Sequence, residues 1–456
     1  MNRVMRRTWV LSLFLCVLLG GMVFFIWEYI HHAAEWAGYP SSPHVQNGGL
    51  GTGTVTDRDG EVLLALEDGR TYSADLQTRL STLHWVGDRK GNISAPAISH
   101  YRSAMSGYDL VQGVYHYSPE AGNIRLTLSA QIQNAALTAM AGRKGTVAVY
   151  NYKTGEILCA LSTPTYDPDN VPDIEGDTTG RYEGAYLNRF LRSTYIPGSI
   201  FKAVTTAAAL DCVEGIKDMT FTCRGTLAYG DQKVSCEKVH GTLDLPGALA
   251  HSCNCCFAQI AERVGKKNMT DYVKKFQLLE GVSFDGITTA AGSYDVTDAA
   301  PVSFAWSCIG QYTDLINPCR FMTFMGAIAR GGTVLEPHVV ASVHDGTEWT
   351  YQAKPDSGKR ILSAEVAATL QDYMRSNVQQ IYGAYNFPGM PVCAKSGTSQ
   401  LGGDQTSNAM FAGFVTDEEY PLAFIVVVEN GGYGSAACVP VLSHVLAACK
   451  TVLDNA

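Results

Sequence analysis

Charge is scarce in this 456-residue chain: Asp, Glu, Lys and Arg make up 17% of it, against 46% apolar residues. The formal net charge is −9, and no dense Lys/Arg cluster offsets it. Nucleic-acid backbones are held by clustered cations, so a nucleic-acid partner is excluded. Few charges with so much apolar material also exclude a disordered chain. No internal repeat occurs, which removes stacked-repeat architectures. The length suits one large domain plus a smaller one.

From Trp9 to Trp27 acidic and basic residues are missing altogether, and Leu, Val, Phe and Met dominate. A helix needs about 20 such residues to cross a bilayer. Arg3, Arg6 and Arg7 precede the run and Glu28 follows it. Basic flanks stay in the cytoplasm, so residues 1–7 are expected inside, 8–30 in the membrane and the rest outside. The run exceeds the apolar region of a secretory signal (about 7–15 residues) and no A-x-A-like site closes it. Leu15 before Cys16 also argues against a lipoprotein signal. An uncleaved anchor is the expectation.

The chain has 13 cysteines, and all but Cys16 then face the side where disulfides persist. Cys223 and Cys236 flank a glycine-containing hairpin, Arg224 to Asp231, and both a disulfide and two free thiols remain open. Zinc is not expected, because His240 is the only imidazole near them and a closed site needs four ligands. Cys253, Cys255 and Cys256 read as small buried hydrophobes.

Pro40 to Gly53 reads as a linker, and residues 31–122 as linker plus a small, mostly-β pedestal. The pattern changes at Arg125, so a main domain is assigned to 123–456. Gln131 to Met140 has helical periodicity, with Ile132, Ala135, Ala136 and Met140 on one face. Gly145–Tyr150 and Ile157–Leu161 read as a strand pair, as do Phe411–Val415 and Leu422–Val428. Val441 to Leu453 reads as a closing helix started by Pro440. Periodicity alone gives a mixed α/β domain, an antiparallel sheet with helices on its faces.

Three short motifs follow one another: Ser199-Ile200-Phe201-Lys202, Ser252-Cys253-Asn254 and Lys395-Ser396-Gly397-Thr398. Each is short enough to arise by chance, and decoys exist. Lys153-Thr154-Gly155 sits in a hairpin turn, and Ser235-Cys236-Glu237-Lys238 opens no apolar helix. Ser199 differs, because Pro197-Gly198 breaks the chain before it and Ile200 to Leu210 is strongly helical. A serine at a helix start gains from exposed N–H groups, and Lys202 lies one turn on. Lys202 can act as a base only when neutral, and burial or a second cation, Lys395, would lower its pKa.

The ordered set S-x-x-K, S-x-N, K-[ST]-G resembles that of the penicillin-recognising serine acyltransferases. Gly53 to Gly60, Gly310-Gln311, Asn317-Pro318 and Ala327 to Gly332 resemble further segments of class B penicillin-binding proteins. The resemblance implies an α/β (α+β) transpeptidase fold: an antiparallel sheet flanked by helices, an all-helical subdomain, a small pedestal and one transmembrane helix. It implies Ser199, Lys202 and Ser252 as catalytic residues and no cofactor or metal. It assigns Asn254, Lys395, Ser396, Gly397 and Thr398 to substrate binding, and the Ser199 and Thr398 N–H groups to an oxyanion hole. Gly397 is expected to let the substrate approach the backbone closely.

The implied activity is a membrane-anchored peptidoglycan D,D-transpeptidase that β-lactams acylate, with a membrane glycan polymerase as partner. A D,D-carboxypeptidase, a β-lactamase and a sensor or scaffold are the alternatives. Against the β-lactamase, no E-x-x-L-N occurs between Asn254 and Lys395. Against the sensor, seven residues before the membrane leave no room for an output domain. Residues before 125 are likewise too few for a glycosyltransferase domain.

Overall fold

The computed structural model describes residues 2–37, 53–66, 69–105, 122–346, 348–354, 357–387, 389–400 and 406–455. The expected linker, 40–53, lies almost wholly outside them. Asn2–Ala37 forms one helix, α1. Within Arg3–Ala33 an 18-residue window has mean hydropathy 2.6 and no buried residue. Thirty-six helical residues reach about 54 Å at 1.5 Å each, more than the ~30 Å of bilayer hydrocarbon.

Where the pedestal was expected lies a six-stranded sheet with the order 349–352, 340–344, 123–126, 54–56, 62–65, 71–72. Two of these strands come from far down the chain. Val340–His344 pairs antiparallel with Asn123–Leu126, which pairs parallel with Thr54–Thr56. The boundary expected at residue 122 therefore runs through a sheet. Local patterning could not reveal it, because the strands that complete the sheet are separated from its start by the whole helical region.

The central sheet has five antiparallel strands: β1 (Gly145–Asn151), β2 (Ile157–Thr163), β3 (Val392–Ser399), β4 (Asn408–Val415) and β5 (Leu422–Val428). Their order is β3-β4-β5-β1-β2, which leaves β3 at an edge. Side chains alternate between faces. Val147, Val149, Phe411, Phe424 and Val426 share one core with α2 (Ala130–Met140). Ala148, Tyr150, Met410, Ala412 and Ile425 face the opposite core. With both faces covered, the strands read as apolar runs rather than clean alternation.

That opposite core belongs to the helical part: α3 (Lys202–Cys212), α4 (Asn254–Val264), α5 (Pro318–Ala329) and α6 (Ala364–Asn377). Gly326 of α5 passes directly over Tyr150, whose oxygen would lie 1.8 Å from a Cβ added there. The last helix, α7, spans Gly434–Asp454 with Pro440 inside it. The expected start at Pro440 is thus nearly two turns late. Proline lacks an N–H, so at this interior position it forfeits one helical bond, to the carbonyl four residues before it. The earlier start matters because α7 begins against β3.

Candidate active site

The three motifs converge on a cleft of about 500 Å³ at the edge of β3, lined by Ser199, Ser252, Asn254, Ser396 and Thr398 among others. Ser199 lies in a 3₁₀ turn, Gly198–Phe201, that runs into α3. Its N–H is in the first turn, where no intrahelical acceptor exists. Gly198 has φ +55, and a Cβ there would meet the Thr398 carbonyl oxygen at 2.6 Å. Its N–H donates to Gly310 O at 2.7 Å. The Gly310-Gln311 segment therefore braces the turn.

Lys202 points back from α3 and is 0% exposed. Its Nζ lies 3.0 Å from Ser199 Oγ, 3.0 Å from Ser252 Oγ, 2.7 Å from Ser252 O and 2.7 Å from Asn254 Oδ1. A carbonyl and an amide oxygen can only accept, so they take two N–H bonds. In the neutral amine the lone pair is then left for a hydroxyl, and Ser199 O–H can donate to it. Burial, followed by the charge of Lys395, pushes the Lys202 pKa well below that of an ordinary lysine.

Ser252 sits at φ +52, a left-handed conformation that costs a non-glycine residue about 1–3 kcal/mol. That conformation turns both its hydroxyl and its carbonyl toward Lys202. Lys395 Nζ donates to Ser252 Oγ at 3.1 Å and to Ser396 O at 2.8 Å. Lys395 is also 0% exposed, and burial lowers its pKa to about 7. The Ser252 hydroxyl thus bridges the two lysines. Asn254 Nδ2 donates to Ser235 O at 2.9 Å, which leaves its second N–H for the cleft. Ser235-Cys236, part of a decoy motif, is accordingly a wall of the site. The other decoy, Lys153 to Gly155, stays in the β1–β2 turn, with Lys153 paired to Glu418.

The free edge of β3 is occupied along most of its length. Asn377 Nδ2 donates to Ala394 O at 3.1 Å, and Ser396 N–H donates to the Tyr382 hydroxyl at 2.9 Å. Gln311 Nε2 donates to Thr398 O at 3.1 Å. These three residues alternate, so by the antiparallel pattern the Thr398 N–H points outward too, into the cleft. The Thr398 hydroxyl accepts from the Gly434 N–H at 3.1 Å.

Gly397 has a close neighbour that the sequence does not announce. A Cβ there would lie 2.9 Å from Pro197 O and 3.0 Å from Ile200 N, so its missing side chain admits the Ser199 turn. Gly434 abuts the same strand, with Gly397 O 2.1 Å from where its Cβ would be. Sequence reasoning missed Tyr382, the α7 start and the bracing role of Gln311. Only Gln311 carried a signal, as part of Gly310-Gln311.

Cys223 and Cys236 are free thiols, so the disulfide left open above is not formed. The hairpin between them exists, Thr226–Tyr229 with Gln232–Ser235. Its ends bring the two thiols to His240 and to Cys253, the middle residue of the second motif. The four ligand atoms lie within 4.8 Å of one another. Cys236 and Cys253 Sγ are 3.6 Å apart, and Cys223 Sγ is 3.5 Å from His240 Nδ1. Zinc–sulfur bonds of 2.3 Å in a tetrahedron separate ligand atoms by about 3.8 Å, so Cys₃His suits a closed zinc site. The fourth donor, Cys253, joins the set only because the second motif packs against the hairpin, which spacing does not announce. Protein purified without chelator is expected to hold about one zinc per chain by mass spectrometry, lost in Cys236→Ser. Metal-free wild type would contradict this.

The model of the penicillin-binding protein transpeptidase domain matches residues 145–447, and the chain belongs to that family. The peptidoglycan D,D-transpeptidase PbpA of Mycolicibacterium smegmatis is 28% identical over 340 residues, 69% of this chain and 68% of that protein. Stage V sporulation protein D of Bacillus subtilis is 26% identical over 406 residues, 85% of this chain and 60% of that one. The D,D-transpeptidase domain of a peptidoglycan glycosyltransferase from Eggerthella lenta superposes with a TM-score of 0.74 at 26% identity. It covers 90% of this chain and 100% of that domain. Penicillin-binding protein A of M. tuberculosis, solved as a ceftriaxone acyl-enzyme complex, shares the fold with a TM-score of 0.75 at 23% identity, covering 89% and 99%.

Proposed function

We propose that this class B penicillin-binding protein is a membrane-anchored D,D-transpeptidase that cross-links peptidoglycan stem peptides and is acylated by β-lactams at Ser199. The observation that carries the reading is the Ser199–Lys202–Ser252–Lys395 chain of 3.0–3.1 Å contacts. Ser199 Oγ attacks the carbonyl of the penultimate D-Ala while Lys202 Nζ takes its proton. The Ser252 hydroxyl passes a proton to the departing D-Ala amine. An amine of a neighbouring stem then attacks the acyl-enzyme, and its proton returns along the same path.

The Ser199 and Thr398 N–H groups face the developing oxyanion, a term that preorganised donors make large. The free Asn254 N–H holds the peptide bond. Lys395 supplies positive charge behind the Ser396 and Thr398 hydroxyls, which bind the terminal carboxylate. The anchor places residues 1–7 in the cytoplasm, 8–30 in the membrane and the pedestal (31–122) and transpeptidase (123–456) parts outside. A membrane glycan polymerase would meet the anchor and pedestal. Purified protein given pentapeptide stems is expected to release D-Ala and form cross-linked dimers. Release without dimers would make it a carboxypeptidase.

The two lysines set a pH profile. Lys202 works only when neutral, so acylation rises with pH through its depressed pKa. Lys395 serves only as a cation, so the rate falls as pH climbs past about 7 and its charge is lost. A bell-shaped dependence of penicillin labelling on pH is expected. A rate climbing steadily into the alkaline range would contradict these roles.

A further inference from the structure

Immediately after α6 the chain makes a π-helical turn, Val378–Tyr382. Such turns are rare and are frequent at functional sites, because the wider coil redirects a side chain. Here it carries Tyr382 to the outer edge of β3, where the ring packs edge-on against Phe411 at 5.1 Å. The turn is pinned at its start by Asn377, whose Nδ2 donates to Ala394 O.

We propose that Tyr382 is a positioning residue that fixes the Ser396 hydroxyl as a hydrogen-bond donor toward the substrate's carboxylate. The argument is a count of protons. Tyr382 Oη accepts the Ser396 N–H at 2.9 Å and lies 2.9 Å from Ser396 Oγ. Tyr382 is 6% exposed, and burial holds its phenol above the ordinary pKa, so it keeps its proton. Among the described residues its one side-chain hydrogen-bond partner is Ser396. The phenol proton therefore goes to Ser396 Oγ, and the Ser396 proton is released to the half-buried cleft side. A serine that could rotate freely would present a lone pair to an anion part of the time. Tyr382 removes that orientation, and its bond to the backbone keeps Ser396 in register.

The proposal rests on the carboxylate-binding role given to Ser396 above, and Tyr382→Phe tests it while preserving the ring. Labelling rates are measured against concentration for benzylpenicillin and for its methyl ester, which lacks the anionic carboxylate. The expected result is about tenfold weaker apparent binding of benzylpenicillin, the worth of one hydrogen bond to a charged group. The limiting acylation rate stays at the wild-type value, and the ester reacts as it does with wild type. Ser396→Ala should erase the effect of Tyr382→Phe, since both remove the same interaction.

Equal losses for the acid and the ester would mean a merely structural tyrosine and overturn the proposal. So would an unchanged preference for the acid. Failure of wild-type Ser199 to be labelled would instead sink the function proposed for the site.

Discussion

Lys202→Met is expected to slow β-lactam acylation by about 10²–10⁴-fold, the usual worth of a positioned base. Methionine matches the length and fills the same buried space. The variant no longer bears the cost of burying an amine, but Ser252 O and Asn254 Oδ1 lose their donor, at about 1–3 kcal/mol each. These effects oppose one another, so the fold should survive and a circular dichroism melt should still be cooperative. The loss should fall on the limiting rate, because Lys202 has no face in the cleft: it is 0% exposed behind Ser199. Rapid-mixing kinetics with fluorescent penicillin measure that rate. Labelling at the wild-type rate would remove Lys202 from the mechanism.

Gly397→Ala should cost nearly as much without touching any polar group. The new methyl would lie within 3.0 Å of Pro197 O and Ile200 N, backbone atoms on either side of Ser199. Backbone cannot rotate away as a side chain can, so β3 and the nucleophile turn must separate. The separation displaces the Thr398 N–H relative to the Ser199 N–H. Loss of one oxyanion donor costs about 10²–10³-fold in rate, and that is the expected fall in acylation. Wild-type labelling by the alanine variant would show that the two donors do not act together.

Much of the site was legible because its chemistry is spelled in three short runs, each held by local structure. A helix start, a turn and a strand edge present Ser199, Ser252 and Lys395 in sequence order. The pairing of Lys202 with Lys395 was also foreseeable, since a buried lysine needs a reason to be neutral. What stayed hidden depends on how elements pack against one another in three dimensions. Tyr382 reaches Ser396 only through a π turn, which has no sequence signature. Cys253 joins Cys223, Cys236 and His240 only because the second motif packs against the hairpin. The six-stranded sheet takes strands from residues 340–352, which no local pattern announces. The packing of Gly397 against the Ser199 turn was not legible either, since spacing says nothing about which backbone passes close by.

The most direct test is the intact mass of the protein after incubation with benzylpenicillin, followed by peptide mapping. The structure predicts a single stable adduct of the whole antibiotic on Ser199, absent from Ser199→Ala. An adduct on another residue, or none on folded wild-type protein, would contradict the assignment of Ser199 as the nucleophile.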